Sequence, residues 1–324
     1  MRTELPSPLS HSTRRDWLRR GAGSVLGAAM LGGCTAPLLF QGSFLQPWQS
    51  YEALPRDEWR RRLKATRALG CDEIVLQWSG HEGGSTAWTL PDSLLEWLFQ
   101  EAGRAGMGIR LGLPYDERWW PSLEAPAPDA RRDFLRATQA RSLQALRSAR
   151  WTRQSGFRGW YLPYEIDAYN WATPERQQAL ADWLQPVAEA ARADGQPPLA
   201  VSTFHTRLPT EGRLTAVWAA LLDRMPLRPM LQDGVGVAGI DHAAGLGPLS
   251  ALLRRRGVAF DWIVELFEQL PATDGSSAFR ARAATPARLR AQLQLARASG
   301  ADRTIAFAVD PWLLDAPGVA APAQ

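Results

Sequence analysis

The sequence predicts an α/β chain closed into a (β/α)8 TIM barrel whose last helix is short or missing. Three observations carry that expectation: eight apolar runs of strand length recur along the chain, amphipathic helical stretches separate them, and 324 residues suit one such barrel. Strands that alternate with helices imply a parallel sheet, because a parallel partner is reached only through a crossover long enough to hold a helix. Eight such units close most economically on themselves, and the open doubly wound sheet is the competing arrangement.

The runs, in order, are GSFLQPW (42–48), DEIVLQW (72–78), GIRLGLPYD (108–116), GWYLPYEID (159–167), PLAVSTFH (198–205), RPMLQDG (228–234), DWIVELFE (261–268) and RTIAFAVD (303–310). Between them the 3.6-residue period is visible: Leu180, Trp183, Leu184, Val187 and Ala191 make one stripe, and Leu214, Val217, Trp218, Leu221 and Leu222 another. Thr285-Pro286 reads as an N-cap followed by proline at the first helical position, and Gly300 stands where a helix-ending glycine belongs. After Asp310 only PWLLDAPGVAAPAQ remains, too short and proline-rich for a full eighth helix. The domain bounds that follow are a signal segment over 1–33, a linker over 34–40, the barrel over 41–316 and a disordered tail over 317–324.

Hydrophobic content of 45% and charged content of 22% are those of a globular chain that folds. The net charge of +4 suggests a nucleic-acid partner only until it is located. The first 33 residues hold five arginines against Glu4 and Asp16, which leaves 32 basic against 31 acidic residues in the rest. No basic stripe for a phosphate backbone exists there, so no nucleic acid is expected.

Those first residues pair a charged stretch, STRRDWLRR, with a short apolar one, GAGSVLGAAMLGGC. Arg14 and Arg15, followed by Trp17 and Leu18, resemble the twin-arginine export signal, and Leu31-Gly32-Gly33-Cys34 resembles the lipobox of bacterial lipoproteins. Cys34 is then the lipidated first residue of the mature chain, which anchors the protein to a membrane facing the periplasm or at the outer membrane. An apolar stretch this short does not span a bilayer, which takes about 20 residues. Cys71 is left as the only mature cysteine, so no internal disulfide forms.

Barrel enzymes work at the C-terminal ends of their strands. Polar and aromatic residues collect at those ends here: Gln46 and Trp48, Gln77 and Trp78, Tyr115 and Asp116, Glu165 and Asp167 with Asn170 and Trp171, His205, Gln232 and Asp233, Glu265, then Asp310 and Trp312. Glu265 sits between Val264 and Leu266, where a charge is costly unless it faces the mouth. Glycosidic cleavage needs two carboxyl groups, one to protonate the leaving oxygen and one to act as nucleophile or base. The aromatic surroundings of one carboxyl would raise its hold on a proton, while a polar setting keeps the other ionised. Trp48, Trp78, Trp119, Trp120, Trp171 and Trp312 lie at strand ends or in the loops beyond them, where flat rings stack on sugar faces, whereas Trp59, Trp183 and Trp218 fall in helical patterns and read as core.

The placement of Glu165 and Glu265 at the fourth and seventh strands resembles the clan A glycoside hydrolases, although Tyr164 precedes Glu165 where the clan normally has asparagine. A closer resemblance covers nearly the whole mature chain. GSFLQPW, LGCDEIVLQWSG, GWYLPYEID followed by NW, VSTF, LQDGVGV and VELFE, in this order, are similar to the bacterial family catalogued as domain of unknown function 4434. That resemblance implies a glycosidase-like barrel whose shared pocket is lined by Gln46, Trp48, Gln77, Trp78, Glu165, Asp233 and Glu265.

Other chemistries fit less well. GVGVAG, Gly234 to Gly239, has the spacing of a dinucleotide loop but follows the sixth strand and reads as a flexible turn. His81, His205 and His242 show no paired ligand spacing, so neither a metal nor another cofactor is expected. No G-x-S-x-G elbow is present, and Ser202 has no nucleophile context. The reading is an exported lipoprotein glycosidase acting on an exopolysaccharide or envelope glycan. In it Glu165 is the acid/base, Glu265 the nucleophile or base and Asp233 a helper that holds substrate or tunes its partner. Gln46, Trp48, Gln77, Trp78, Tyr115, Asp116, Asp167, Asn170, Trp171, His205, Gln232 and Trp312 bind the polysaccharide or oligosaccharide. The alternative is a non-catalytic glycan-binding lipoprotein of polysaccharide assembly or export.

Overall fold

A computed structural model of the protein describes residues 37–84, 87–271 and 280–314. The signal segment, Cys34, the start of the linker and the tail 317–324 lie outside the described residues. All eight strand-like runs form strands: β1 Gly42–Leu45, β2 Glu73–Leu76, β3 Gly108–Gly112, β4 Phe157–Ile166, β5 Leu199–Phe204, β6 Leu227–Gln232, β7 Asp261–Glu265 and β8 Arg303–Phe307. Each pairs in parallel with its successor, and β8 returns to β1 through Gly42 opposite Ile305 and Ser43 opposite Ala306. The sheet is therefore a closed barrel, not an open doubly wound one.

Among the described residues seven helices of barrel length cover the outside: α1 Arg56–Ala68, α2 Asp92–Arg104, α3 Pro128–Ser148, α4 Pro174–Ala191, α5 Leu214–Leu222, α6 Gly247–Arg255 and α7 Pro286–Ser299. Their ends follow the local chemistry. Thr173 and Thr285 each accept a backbone N–H three residues on, each is followed by proline, and Gly300 stops α7 at φ 78°. The stripe of α4 is buried in full, and that of α5 is buried except for half-buried Leu222. After β8 the described chain makes only the short turn Val309–Trp312, in keeping with a last helix that is short or missing.

The strands alternate, so one face fills the barrel and the other meets the helices. Phe44, Val75, Tyr161, Ala200, Met230, Ile263 and Ile305 form the middle layer. Below them, toward the strand N-termini, the inward positions are ionic: Arg110 meets Glu73 at 2.7 Å, Arg228 meets Asp261 at 2.5 Å, and Arg303 stands 3.7 Å from Glu73. These pairs close the floor. At the opposite end lie a three-stranded sheet, Gly80–Glu82 with Trp88–Thr89 and Tyr115–Asp116, and a hairpin of Phe267–Gln269 with Ala281–Ala283.

Candidate active site

The period that sends Phe44, Val75, Met230 and Ile263 inward also sends inward the residues two positions later, Gln46, Gln77, Gln232 and Glu265. Glu165 joins this ring from β4, since the Gln232 side-chain amide donates directly to its Oε1. Three amides and two carboxylates thus converge on the C-terminal mouth. Glu165 is half-buried, and its backbone carbonyl accepts the Trp119 indole N–H at 3.2 Å, which ties the end of β4 to the aromatic core outside the barrel.

Glu265 is only 3% exposed, and its Oε2 accepts the backbone N–H of Gly236 at 2.8 Å. Its backbone carbonyl receives Arg288 Nη2 and Gln292 Nε2, both at 3.1 Å from α7. Asp233 stands behind it. Its Oδ1 accepts the N–H groups of Val235 at 3.2 Å and Glu265 at 3.3 Å, and its Oδ2 accepts Gln292 Nε2 at 2.7 Å. Asp233 is buried, and burial together with the Glu265 charge pushes its hold on a proton well above the ordinary carboxylate range.

The rim over β7, β8, β1 and β2 is aromatic. Trp48 lies 5.0 Å from Trp78 edge-on, both rings lie within 6 Å of His81, and Trp78 stacks on Tyr115 at 5.8 Å. On its other side Trp48 packs with Phe267, whose ring is 5.7 Å from Trp312. Within this apolar arc Trp48 Nε1, Trp78 Nε1 and Gln77 Oε1 are buried with no hydrogen-bond partner among the described residues. Buried polar atoms of that kind are normally satisfied, so water or a ligand is their natural partner. Among the described residues no three His, Cys, Asp or Glu side chains are grouped so as to hold a metal ion.

Residues 40–321, most of the chain, match one family model. The chain belongs to the family described as Domain of unknown function (DUF4434). It is 27% identical over 168 residues to the uncharacterized protein YbcH of Escherichia coli (strain K12), across 51% of this chain and 55% of that protein, so it spans about half that relative's length. In structure it is similar to a putative alpha-L-fucosidase from Bacteroides thetaiotaomicron VPI-5482, with a TM-score of 0.63 at 15% identity over 92% of this chain and 95% of that one. It also resembles a beta-galactosidase from the psychrophilic Marinomonas ef1, with a TM-score of 0.55 at 10% identity over 82% of this chain and 53% of that one. These likenesses, at 15% and 10% identity, show the barrel fold.

Several residues expected at the site are held elsewhere. Asp116 is wholly buried between Arg118 at 2.6 Å and Arg141 at 2.8 Å. Asp167 accepts the N–H groups of Tyr169 and Asn170 and the Asn170 side chain, a turn-making pattern that turns both side chains toward each other. Trp171 is 1% exposed beside Trp119, and Trp119 and Trp120 are equally buried, so these three rings are core. Asp310 pairs with Arg62 and accepts the Tyr51 hydroxyl. Asp233 braces Glu265 instead of reaching into the mouth. For the four carboxylates the cause is common: a strand-end carboxylate that finds an arginine or a row of N–H donors no longer faces the cleft. His205 is half-buried beside the His242 ring at 5.1 Å, at the polar end of the mouth. Ser202 is bonded to the Tyr161 hydroxyl at 2.8 Å inside the barrel.

Three contributors escaped the sequence reading. His81 joins the aromatic arc, Gln292 reaches Asp233 from 59 residues away, and Gly236 supplies its N–H to Glu265. Only the last left a local signal, the glycine-rich GVGVAG loop: a methyl group at 236 would stand 2.9 Å from Glu265 Oε2.

Proposed function

We propose that this protein is a glycoside hydrolase that cleaves a bacterial exopolysaccharide or envelope glycan through Glu165 and Glu265. One observation carries the reading: both carboxylates stand in the same ring of inward side chains at the strand C-termini, beside three amides and an aromatic wall. Amides suit sugar hydroxyls and flat rings suit sugar faces, while the two carboxylates supply an acid and a base or nucleophile. The fold shared with a putative alpha-L-fucosidase and a beta-galactosidase is consistent with that chemistry, and the chemistry itself rests on the residues.

The N-terminal pattern adds the setting. Export through the twin-arginine motif and lipidation at Cys34 would hold the barrel at a membrane surface facing the periplasm or at the outer membrane, where envelope polymers pass. Among the described residues no helix is long and apolar enough to cross a membrane.

The test is turnover of a panel of aryl glycosides and bacterial polysaccharides by the wild type, Glu165→Gln and Glu265→Gln. The expected result is release of reducing sugar by the wild type, a loss of roughly 10²-fold or more in each variant, and retained oligosaccharide binding. Binding without cleavage by the wild type would instead favour a glycan-binding lipoprotein of polysaccharide assembly.

A further inference from the structure

Charge is distributed unevenly between the two ends of the barrel. At the mouth end the first turns of α1 to α4 carry Asp57, Glu58, Asp92, Asp129 and Glu175. The floor end, made of helix C-termini and strand N-termini, is basic on one side. Arg67 lies in the last turn of α1, Arg254 and Arg255 in that of α6, and Arg297 in that of α7, all exposed. A helix C-terminus favours a cation, which accounts for one arginine per helix but not for the side they share. The last turns of α4 and α5, across the barrel, carry no basic residue. Of the other last-turn arginines, Arg104 is paired with Glu101, and Arg147 stands apart on α3.

Among the described residues none of these four arginines makes an ion pair, whereas the acids of that face are engaged. Asp72 is paired with Arg303 and Asp223 with Arg256 at 2.6 Å, and Asp302 accepts the Phe260 N–H at 2.8 Å. The chain enters the barrel within this group. Phe40 N–H donates to the Leu69 carbonyl just beyond α1, and Gln41 N–H to the Thr304 carbonyl at the start of β8, each at 2.9 Å. Leu39 is 48% exposed and lies against Gly70, whose carbonyl also receives the Arg67 head at 3.4 Å. Arg254 lies against Gly300 at the end of α7. Only Thr35 and Ala36 separate Cys34 from Pro37, a span that reaches at most about 10 Å. No basic stripe is visible in the sequence because the arginines come from three helices that only the closed barrel brings to one side.

We propose that this side of the floor, Leu39 with Arg67, Arg254, Arg255 and Arg297, rests on the anionic phospholipid headgroups of the membrane that holds Cys34, so that the mouth opens away from the bilayer. The arginines attract the lipid phosphates, Leu39 enters the interface, and the short tether keeps this end down. The acidic first turns at the other end are repelled from the same surface. A polymer in the aqueous compartment then reaches the cleft without crossing lipid. The proposal rests on the export and lipidation reading of the N-terminus and is independent of catalysis.

Partition of the full-length protein onto vesicles tests it. The floor variant combines Arg67→Gln, Arg254→Gln, Arg255→Gln and Arg297→Gln. The control combines Arg132→Gln, Arg136→Gln, Arg213→Gln and Arg282→Gln, which are equally exposed but away from the floor. On vesicles of equal parts phosphatidylglycerol and phosphatidylcholine the floor variant is expected to bind at least about 100-fold more weakly than the wild type, and the control like the wild type. On phosphatidylcholine alone the three are expected to be alike. Lysine at the same four floor positions should restore binding, which a merely structural role would not. All chains share residues 1–36, so binding through that segment is common to them. Equal losses in floor and control variants, or none in the floor variant, overturn the proposal.

Orientation is read in Cys34→Ser chains carrying a dye at Ala298→Cys on the floor or at Ala283→Cys on the hairpin, both exposed positions. Cys71 is wholly buried and takes no dye. Spin-labelled lipid is expected to quench the dye at 298 and not at 283, and the reverse overturns the proposal. Acyl labelling of Cys34 in an exporting host is read separately. Its absence alongside floor-dependent vesicle binding overturns the anchor reading and leaves the docking face.

Discussion

The backbone N–H of Gly236 lies 2.8 Å from Glu265 Oε2, and a methyl group added at 236 would stand 2.9 Å from that oxygen and 2.5 Å from the Phe267 carbonyl. The loop after β6 can thus deliver its N–H to the carboxylate only while position 236 has no side chain. Gly236→Ala is expected to lower kcat roughly 10²-fold by displacing Glu265, and to cost about 1–3 kcal/mol through crowding of the Phe267 backbone. Steady-state kinetics and thermal unfolding of the purified variant check both parts. Full activity would mean that the Gly236 hydrogen bond does not position Glu265.

Trp48 links the two halves of the aromatic arc, packing on Trp78 on one side and near Phe267 on the other. Trp48→Ala should weaken oligosaccharide binding about tenfold, measured by calorimetry in the Glu165→Gln background so that the sugar survives. Trp97, which stacks under Arg56 at 4.3 Å on the outer face of the barrel, is the control, and Trp97→Ala should leave binding unchanged. Equal losses from both substitutions would point to general destabilisation, not to a sugar-stacking surface.

Asp116 offers a test of stability against pH. Burial acts to raise its pKa, but hydrogen bonds from Arg118 and Arg141 outweigh it and hold the carboxyl at about 2, below its ordinary 3.8. A carboxylate depressed in the fold stabilises it above the ordinary value, and that contribution is lost as pH falls from there toward about 2. Asp116→Asn should therefore lower the midpoint of thermal unfolding at pH 7 and differ progressively less from the wild type as the pH is taken below 4 toward 2. A gap that is constant across that range would assign the effect to packing instead of charge.

The floor of the barrel answers to the same physics without touching the mouth. Arg110 is 5% exposed and pairs with the equally buried Glu73, so Arg110→Met leaves a carboxylate in the interior facing only more distant arginines among the described residues, Arg303 at 3.7 Å and Arg228 beyond direct contact. A loss of about 3–5 kcal/mol in stability is expected, read by denaturant unfolding, with kcat unchanged at temperatures where the variant is folded. A fall in kcat without unfolding would show that floor and mouth are coupled.

The strands were legible because each is an apolar run of strand length set between helical stretches, and the two-residue period of the folded strands places Gln46, Gln77, Gln232 and Glu265 on one ring. The proposed export and lipidation signals are equally local, resting on Arg14, Arg15 and Cys34. What escaped were contacts between distant positions. Asp116 and Asp167 end strands as Glu165 does, yet Arg141 reaches Asp116 from 25 residues along, on α3, and the backbone after β4 folds back on Asp167. Trp171 reads as a stacking ring until Trp119 is seen packed against it.

The sequence by itself determined the eight-stranded barrel and the places of Glu165 and Glu265 at the ends of β4 and β7, since backbone periodicity and capping act within a few residues and survive in the order of the letters. Tertiary structure alone decided which carboxylates stand in the ring at the mouth and which are spent on the fold. Gln292 meets Asp233 across 59 residues and Gln232 meets Glu165 across 67, and the charge state of a buried carboxyl depends on just such neighbours, which only closure of the barrel brings within hydrogen-bonding distance.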